Sequence, residues 1–244
     1  MNWPWPIRRG RSPDRDVPWI EPYLGEPEGL IGVGGDLSPE LLLRAYSEGV
    51  FPWFSEGDPV LWWSPDPRAV IELDGLHVSR RLARTIRSGK FRITVDHCFT
   101  DVMRACGESR PEGTWVTNEM IRGYTALHRA GHAHSLEVWY REPDPSARFA
   151  GERQGERLAG GIYGVSIGGL FAGESMFHRV TDASKVALVA LVEHLKRQGF
   201  VLFDVQMTTD HTERMGAVNI PREHYLRRVA NAVAMDHVRF VDDR

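Results

Sequence analysis

The stretch Leu170-Phe171-Ala172-Gly173-Glu174-Ser175-Met176-Phe177, the run from Ala183 to Gln198, and Phe200 to Gln206 read as strand, long helix and strand. In the first, bulky apolar residues around small ones predict an extended segment that Gly173 lets bend. The second is apolar on most sides through Val186, Ala187, Val189, Ala190 and Leu191, as a centrally buried helix is, and Gly199 stops it. The third alternates, with Phe203 and Val205 on one face and Asp204 and Gln206 on the other. A carboxylate among apolar residues must find a partner or shift its pKa. Glu174 is therefore either a site residue or the partner of a base such as Arg179 that holds a turn. If the two strands are neighbours, Glu174, Asp204 and Gln206 converge at the end of an apolar sheet. The plainer alternative is a buried hydrogen-bond pair that fixes the next loop.

Working outward, Ser135 to Tyr140 and Leu158 to Val165 read as paired strands joined by the long polar stretch 141–157, and Ser166 to Gly169 turns the chain into the strand of Glu174. A strand, helix and strand after a twisted antiparallel set fits an acyl-CoA N-acyltransferase-like domain. Such enzymes hold a pyrophosphate on backbone N–H groups at a helix start, in a glycine-rich loop. Residues 178–184 contain no glycine, so the fold fits and the cofactor does not. Further out, Phe91 to Val95 predicts a strand, Asp96 a cap for a helix to Ala105, and Thr117 a cap for a helix to Gly131. Ser38 caps a helix through Ser47 with Pro39 in its first turn. Short helices are expected near His211 and from Pro221, and a last strand over 238–241. Residues 1–30, rich in Pro, Trp and charge, read as an arm docked on the body.

The chain is 244 residues long with 42% hydrophobic and 26% charged residues, which excludes a disordered or collagen-like protein. Two cysteines without a paired framework point to a reducing compartment. With no signal-peptide core and no stretch of spanning length, a cytoplasmic protein without membrane contact is expected. His128, His132 and His134 lie close in sequence, but Gly131 breaks the helix between them, so no metal is expected.

Two surfaces suggest a nucleic-acid partner. Phe51 to Phe54 and Leu61 to Trp63 concentrate aromatic area, read as a small satellite core or as a platform for a planar base. From Ser79 to Arg92 the chain carries Arg80, Arg81, Arg84, Arg87, Lys90 and Arg92 without an acid. A helix over Arg80 to Ser88 puts Arg80, Arg84 and Arg87 on one stripe and Leu82 and Ile86 on another, fit for a polyanion or merely solvated.

Gly34-Gly35-Asp36-Leu37-Ser38-Pro39, Gly49-Val50-Phe51-Pro52-Trp53-Phe54, Trp62-Trp63-Ser64-Pro65-Asp66-Pro67-Arg68, Gly131-His132-Ala133-His134-Ser135 and Gly173-Glu174-Ser175-Met176-Phe177 together resemble the leucyl/phenylalanyl-tRNA–protein transferase family. Ala183-Ser184-Lys185, Phe203-Asp204-Val205-Gln206 and Asp210-His211-Thr212 continue the likeness in order, over about residues 26 to 230. The resemblance implies an α+β protein: a small amino-terminal domain, residues 1–67, then an acyltransferase-like domain, 68–244, with a mostly antiparallel sheet flanked by helices and no CoA. It implies transfer of Leu, Phe or Met from aminoacyl-tRNA to proteins with amino-terminal Arg or Lys, creating a degradation signal, by a monomer without cofactor.

By the same resemblance Asp204 orients Gln206 and relays the proton, Gln206 holds the attacking amine, and Glu174 pairs with the cationic acceptor. Alternatively the ribose hydroxyl of the tRNA shuttles the proton and the protein mainly positions substrates. Trp53, Trp115, Tyr46 and Tyr124 would enclose the terminal adenosine. Ile162, Phe171, Met176, Leu188 and Leu191 would form the donor side-chain pocket. Arg80, Arg81, Arg84, Arg87 and Lys90 would meet phosphates. His178, Thr209 and Ile162 depart from the family pattern at positions that bear on donor preference. A CoA-dependent N-acetyltransferase and a non-enzymatic RNA-binding module are the rival readings.

Overall fold

The computed structural model describes residues 17–108, 114–141 and 155–242. A three-stranded sheet near the amino terminus joins β1 (Leu30–Val33), β2 (Phe51–Pro52) and β3 (Leu61–Trp63) in the order β1-β3-β2, beside α1 (Pro39–Ser47). A seven-stranded sheet follows: β4 (Arg68–Ile71), β5 (Phe91–Val95), β6 (Ala133–Arg141), β7 (Glu156–Ile167), β8 (Leu170–His178), β9 (Leu202–Gln206) and β10 (Ala217–Ile220), in the order β10-β4-β9-β8-β7-β6-β5. Every neighbouring pair in it is antiparallel except β8 and β9, which α5 (Ala183–Gln198) joins as a parallel crossover. The remaining helices are α2 (Arg80–Arg87), α3 (Phe99–Glu108), α4 (Asn118–Arg129), α6 (Asp210–Arg214) and α7 (Arg222–Val233).

Helices cover both faces of the large sheet. On one side α5 packs Leu188, Leu191 and Val192 against Ile162, Phe171 and Phe203. On the other, α3 and α4 pack on Tyr163, Val165, Ala172 and Phe177, and this cluster runs without a break into Leu42, Tyr46, Trp19 and Trp62 of the amino-terminal module. Trp62 is thus part of the continuous core rather than of a separate satellite, whereas Trp53 remains 39% exposed.

Two irregularities set up the site. Between β7 and β8, Tyr163 pairs with Ser175 while the next residue, Gly164, pairs with Gly173, so Glu174 is the extra residue of a β-bulge. The bulge reverses the in–out parity of β8: Phe171 and Met176 both pack on the α5 side, Ala172 and Phe177 on the other. Beside it, β9 slips one residue against β4 at Val205, because Ala69 pairs with Gln206 and Val70 with Asp204. The parallel pairing of β8 with β9 ends at Ala172 and Asp204, so Glu174 and Gln206 lie just beyond it.

Several expectations are corrected. Asp96 does not cap α3: it has φ 58, and its carboxylate accepts from Ser135 N at 2.8 Å and pairs with His134 Nδ1 at 2.7 Å. Ser38 occupies the N-cap position of α1, but its hydroxyl makes no cap bond. Ser79 and Thr117 do cap α2 and α4, accepting from Leu82 N and Met120 N. Residues 238–241 form no strand; Val238 and Phe240 are instead buried on the α5-side core, where Phe240 stacks on His134 and Phe171. The chain from Pro221 gives a twelve-residue helix rather than a short one. Strands β1, β2, β3, β4 and β10, each of four residues or fewer, were not anticipated, because so few residues establish no period. Most of the 141–157 stretch lies outside the described residues; its ends extend β6 and β7.

Candidate active site

A cavity of about 190 Å³ opens where β8 and β9 part, lined by Phe51, Pro52, Trp53, Trp115, Glu174, Val205, Gln206, Met207 and Thr209. The amino-terminal module supplies Phe51, Pro52 and Trp53, with Trp53 held by a bond from Trp63 Nε1 to its carbonyl at 2.7 Å. The opposite wall is the end of β9 and the turn after it.

Glu174 lies between these walls on its bulge. Tyr46 Oη and Gln206 Nε2 donate to its Oε1 at 2.7 and 2.8 Å, and Tyr124 Oη donates to Oε2 at 3.3 Å. The two tyrosine hydroxyls are also within bonding reach of each other, and with one proton apiece they share three contacts: when Tyr124 donates to Tyr46, Tyr46 alone donates to an ionised Glu174. Burial pushes the Glu174 carboxyl up from its ordinary 4.5 to about 7; the Tyr46 bond opposes this, the Asp204 charge adds to it, and the Tyr124 bond and Arg68 oppose it. Burial first, then Glu174, holds both tyrosines well above their ordinary range, so they stay neutral donors. Arg179, the alternative partner for Glu174, bonds Glu108 at 3.1 Å.

Gln206 closes β9 in the left-handed region, φ 58, which is unfavourable for a residue with a side chain. Its backbone N–H donates to Asp204 Oδ1 at 2.9 Å. A carboxylate only accepts, so the Gln206 amide must turn its NH2 to Glu174, which leaves its carbonyl oxygen as an acceptor. Asp204 itself is sealed, with Arg68 and Tyr225 on its oxygens. It has no place in the cavity wall, and the bond from the Gln206 N–H links it to the site.

The remaining candidates are placed as follows. Trp53 and Trp115 line the cavity, and Tyr46 and Tyr124 lie beneath Glu174 rather than in the wall. Ile162, Phe171, Leu188 and Leu191 meet in one cluster but are at most 2% exposed, and Met176 is partly exposed beside them; none of the five lines this cavity. Arg81, Arg84 and Lys90 line a second cavity of about 450 Å³ with Thr85, Ser88, Thr181 and Asp182, whereas Arg80 and Arg87 do not. Leu82 anchors that helix in the core while Ile86 remains 37% exposed. The histidines make protein contacts: His128 stacks on Phe99 and bonds Ala133 O, and His134 pairs with Asp96. Among the described residues no group of three His, Cys, Asp or Glu could hold a metal ion.

Residues 70–230 match the family model for leucyl/phenylalanyl-tRNA protein transferase, and residues 35–66 match the model for that family's N-terminal domain. The chain belongs to this family. As a leucyl/phenylalanyl-tRNA protein transferase family member it is an aminoacyltransferase. The leucyl/phenylalanyl-tRNA–protein transferase of Anaeromyxobacter sp. (strain Fw109-5) is 53% identical over 222 residues, covering 90% of this chain and 88% of that one. That of Magnetococcus marinus is 55% identical over 208 residues, covering 85% of each. A solved structure of FemX superposes with a TM-score of 0.46 at 11% identity, over 74% of this chain and 66% of that one.

Sequence reasoning gave no site role to Arg68, Tyr225, Val205 or Met207, whereas Phe51 and Pro52 lie in the aromatic stretch it marked. Arg68 carried the signal that singled out Glu174: a charge directly before an apolar run, Ala69-Val70-Ile71.

Proposed function

We propose that this cavity joins the 3′ end of Leu-, Phe- or Met-charged tRNA to the amino-terminal Arg or Lys of an acceptor protein, creating an N-terminal degradation signal. The observation that carries the reading is Glu174: a carboxyl pushed up to about 7 by burial, bonded to the Gln206 amide, in a cavity that two indole rings also line. An α-amine has a reference pKa of about 8, so a partner near 7 can hold the ammonium and share its proton.

The amine nitrogen, steadied by the Gln206 carbonyl, attacks the ester carbonyl. The new N–C bond forms as the C–O bond to the ribose breaks. Glu174 takes one proton from the nitrogen, and the departing ribose oxygen takes one. Tyr46, a neutral donor backed by the Tyr124 hydroxyl, holds the Glu174 carboxyl in place through both transfers. Stacking on Trp53 and Trp115 suits an adenine, because every base offers a π-face.

The donor side chain is assigned to the apolar cluster of Ile162, Phe171, Leu188 and Leu191, entered past Met176. An apolar pocket disfavours charged and amide donors, and this one must open for entry. The α2 strip, centred on Arg81, Arg84 and Lys90, takes acceptor-stem phosphates. By this reading residues 1–67 form the domain that supplies Phe51, Pro52 and Trp53, and 68–244 the domain that supplies Trp115, the acid and the amide. By the same reading the enzyme is a monomer and works in the cytoplasm.

The test is transfer of labelled Leu, Phe or Met from charged tRNA to peptides differing only in the first residue. Product is expected with Arg or Lys first and not with Ala. Heat stabilisation by acetyl-CoA without transfer, or tRNA binding without transfer, would contradict the reading.

A further inference from the structure

Arg68 is the largest charged side chain in the core, with no exposure. Its Nε and Nη2 grip Asp204 Oδ1 and Oδ2 at 2.9 and 2.7 Å as a fork. Its Nη1 donates to Gly49 O at 3.1 Å, and its Nη2 also reaches Tyr225 Oη at 3.2 Å. The guanidinium lies between two rings, 4.8 Å from the Phe51 centroid and 4.4 Å from that of Tyr225. Tyr225 Oη in turn donates to Asp204 Oδ2 at 2.8 Å.

One side chain thereby joins the parts that make the cavity. Gly49 and Phe51 lead into the aromatic wall ending at Trp53. Asp204 holds the N–H of Gln206 and with it the left-handed turn that aims the amide at Glu174. Tyr225 belongs to α7, which packs behind both.

Stability alone does not account for such a pair. Desolvating two charges is costly, and apolar residues of similar volume often serve a core equally well. What apolar replacements lack is direction: they cannot hold a backbone N–H in a strained conformation or set the distance between two walls.

We propose that Arg68 is a positioning residue for transfer, holding Gln206 and the Phe51–Trp53 wall in register through Asp204, Gly49 and Tyr225. The inference rests on the reading of Gln206 and Glu174 as the groups that handle the amine.

The experiment measures single-turnover transfer of Phe from tRNA to a peptide beginning with Arg, alongside tRNA affinity and melting temperature. It compares the parent, Gln206→Ala, Tyr225→Phe and the double variant Arg68→Met/Asp204→Leu. Gln206→Ala tests the underlying reading: if it transfers at the parent rate, that reading fails independently of Arg68. The double variant is expected to melt within about 5 °C of the parent. It should bind tRNA within about twofold while the transfer rate falls about 100-fold, the scale of an ångström of misplacement. Tyr225→Phe, which loses only the hydroxyl shared by Asp204 and Arg68, should transfer about fivefold more slowly at unchanged tRNA affinity. A folded double variant within about threefold of the parent rate, or one whose loss lies only in tRNA affinity, overturns the proposal. If the double variant does not fold, Tyr225→Phe decides, and a parent-like rate there overturns it.

Discussion

At Glu174, burial and hydrogen bonding act in opposite directions, and burial wins. Its carboxyl titrates near 7 in the folded protein against an ordinary 4.5, so the folded state binds this proton more tightly than the unfolded chain. The stability it contributes is fully present below about 4.5 and is lost as pH rises through about 7. Glu174→Gln, which keeps the shape without the charge, should therefore be more stable than the parent at pH 8 by about 1 to 3 kcal/mol, with the difference vanishing near pH 4. Urea unfolding at the two pH values checks this, and a variant less stable at pH 8 would count against the assigned pKa. That Glu174 needed an explanation was legible in the sequence, since an acid among Phe171, Ala172 and Phe177 is conspicuous. Gln206 was legible beside it from the alternation of Phe200 to Gln206, but Tyr46 and Tyr124 were not legible as its partners, lying 128 and 50 positions away in sequence.

At the level of elements, the β7–β8 bulge aims that carboxylate, as bulges beside sites commonly do. Gly164 makes it possible: a Cβ there would sit 2.3 Å from Ala172 O and 2.5 Å from Phe171 Cε1. Gly164→Ala should cost about 3 kcal/mol by urea unfolding and remove most transfer activity, as overpacking forces the strands apart. A variant of parent stability would show that the strands accommodate the methyl. On the proposed reading helix α2 bears on the tRNA, not on the chemistry. Replacing Arg84 and Lys90 with Gln should flatten the slope of log affinity against log salt by about one to two, while Arg87→Gln should leave it unchanged. The long elements, β8, α5 and β9, were legible because their apolar patterns persist. The bulge was only hinted at by Gly173, and the four-residue β4, which brings in Arg68, left no periodic trace.

Over the whole molecule, one apolar cluster joins the amino-terminal module to the catalytic sheet, so the two should unfold in a single transition. The carboxy-terminal strap belongs to the same unit on the other face: Phe240→Ala, which empties the space among Phe171, Phe200, His134 and His194, should cost about 3 kcal/mol in urea. The cavity exists only because both parts contribute a wall, Phe51, Pro52 and Trp53 from one and Trp115 with the acid and amide from the other. The transfer reaction therefore tests the assembly and its chemistry together. The most direct measurement is the pH dependence of kcat/KM for transfer of Phe from tRNA to a peptide beginning with Arg, in the parent and in Glu174→Gln. The parent should gain activity through a limb near pH 7 set by Glu174. The variant should be slower by about 100-fold or more and keep only the limb of the peptide amine near 8. A Glu174→Gln enzyme within about threefold of the parent, with the same limb near 7, would contradict the account.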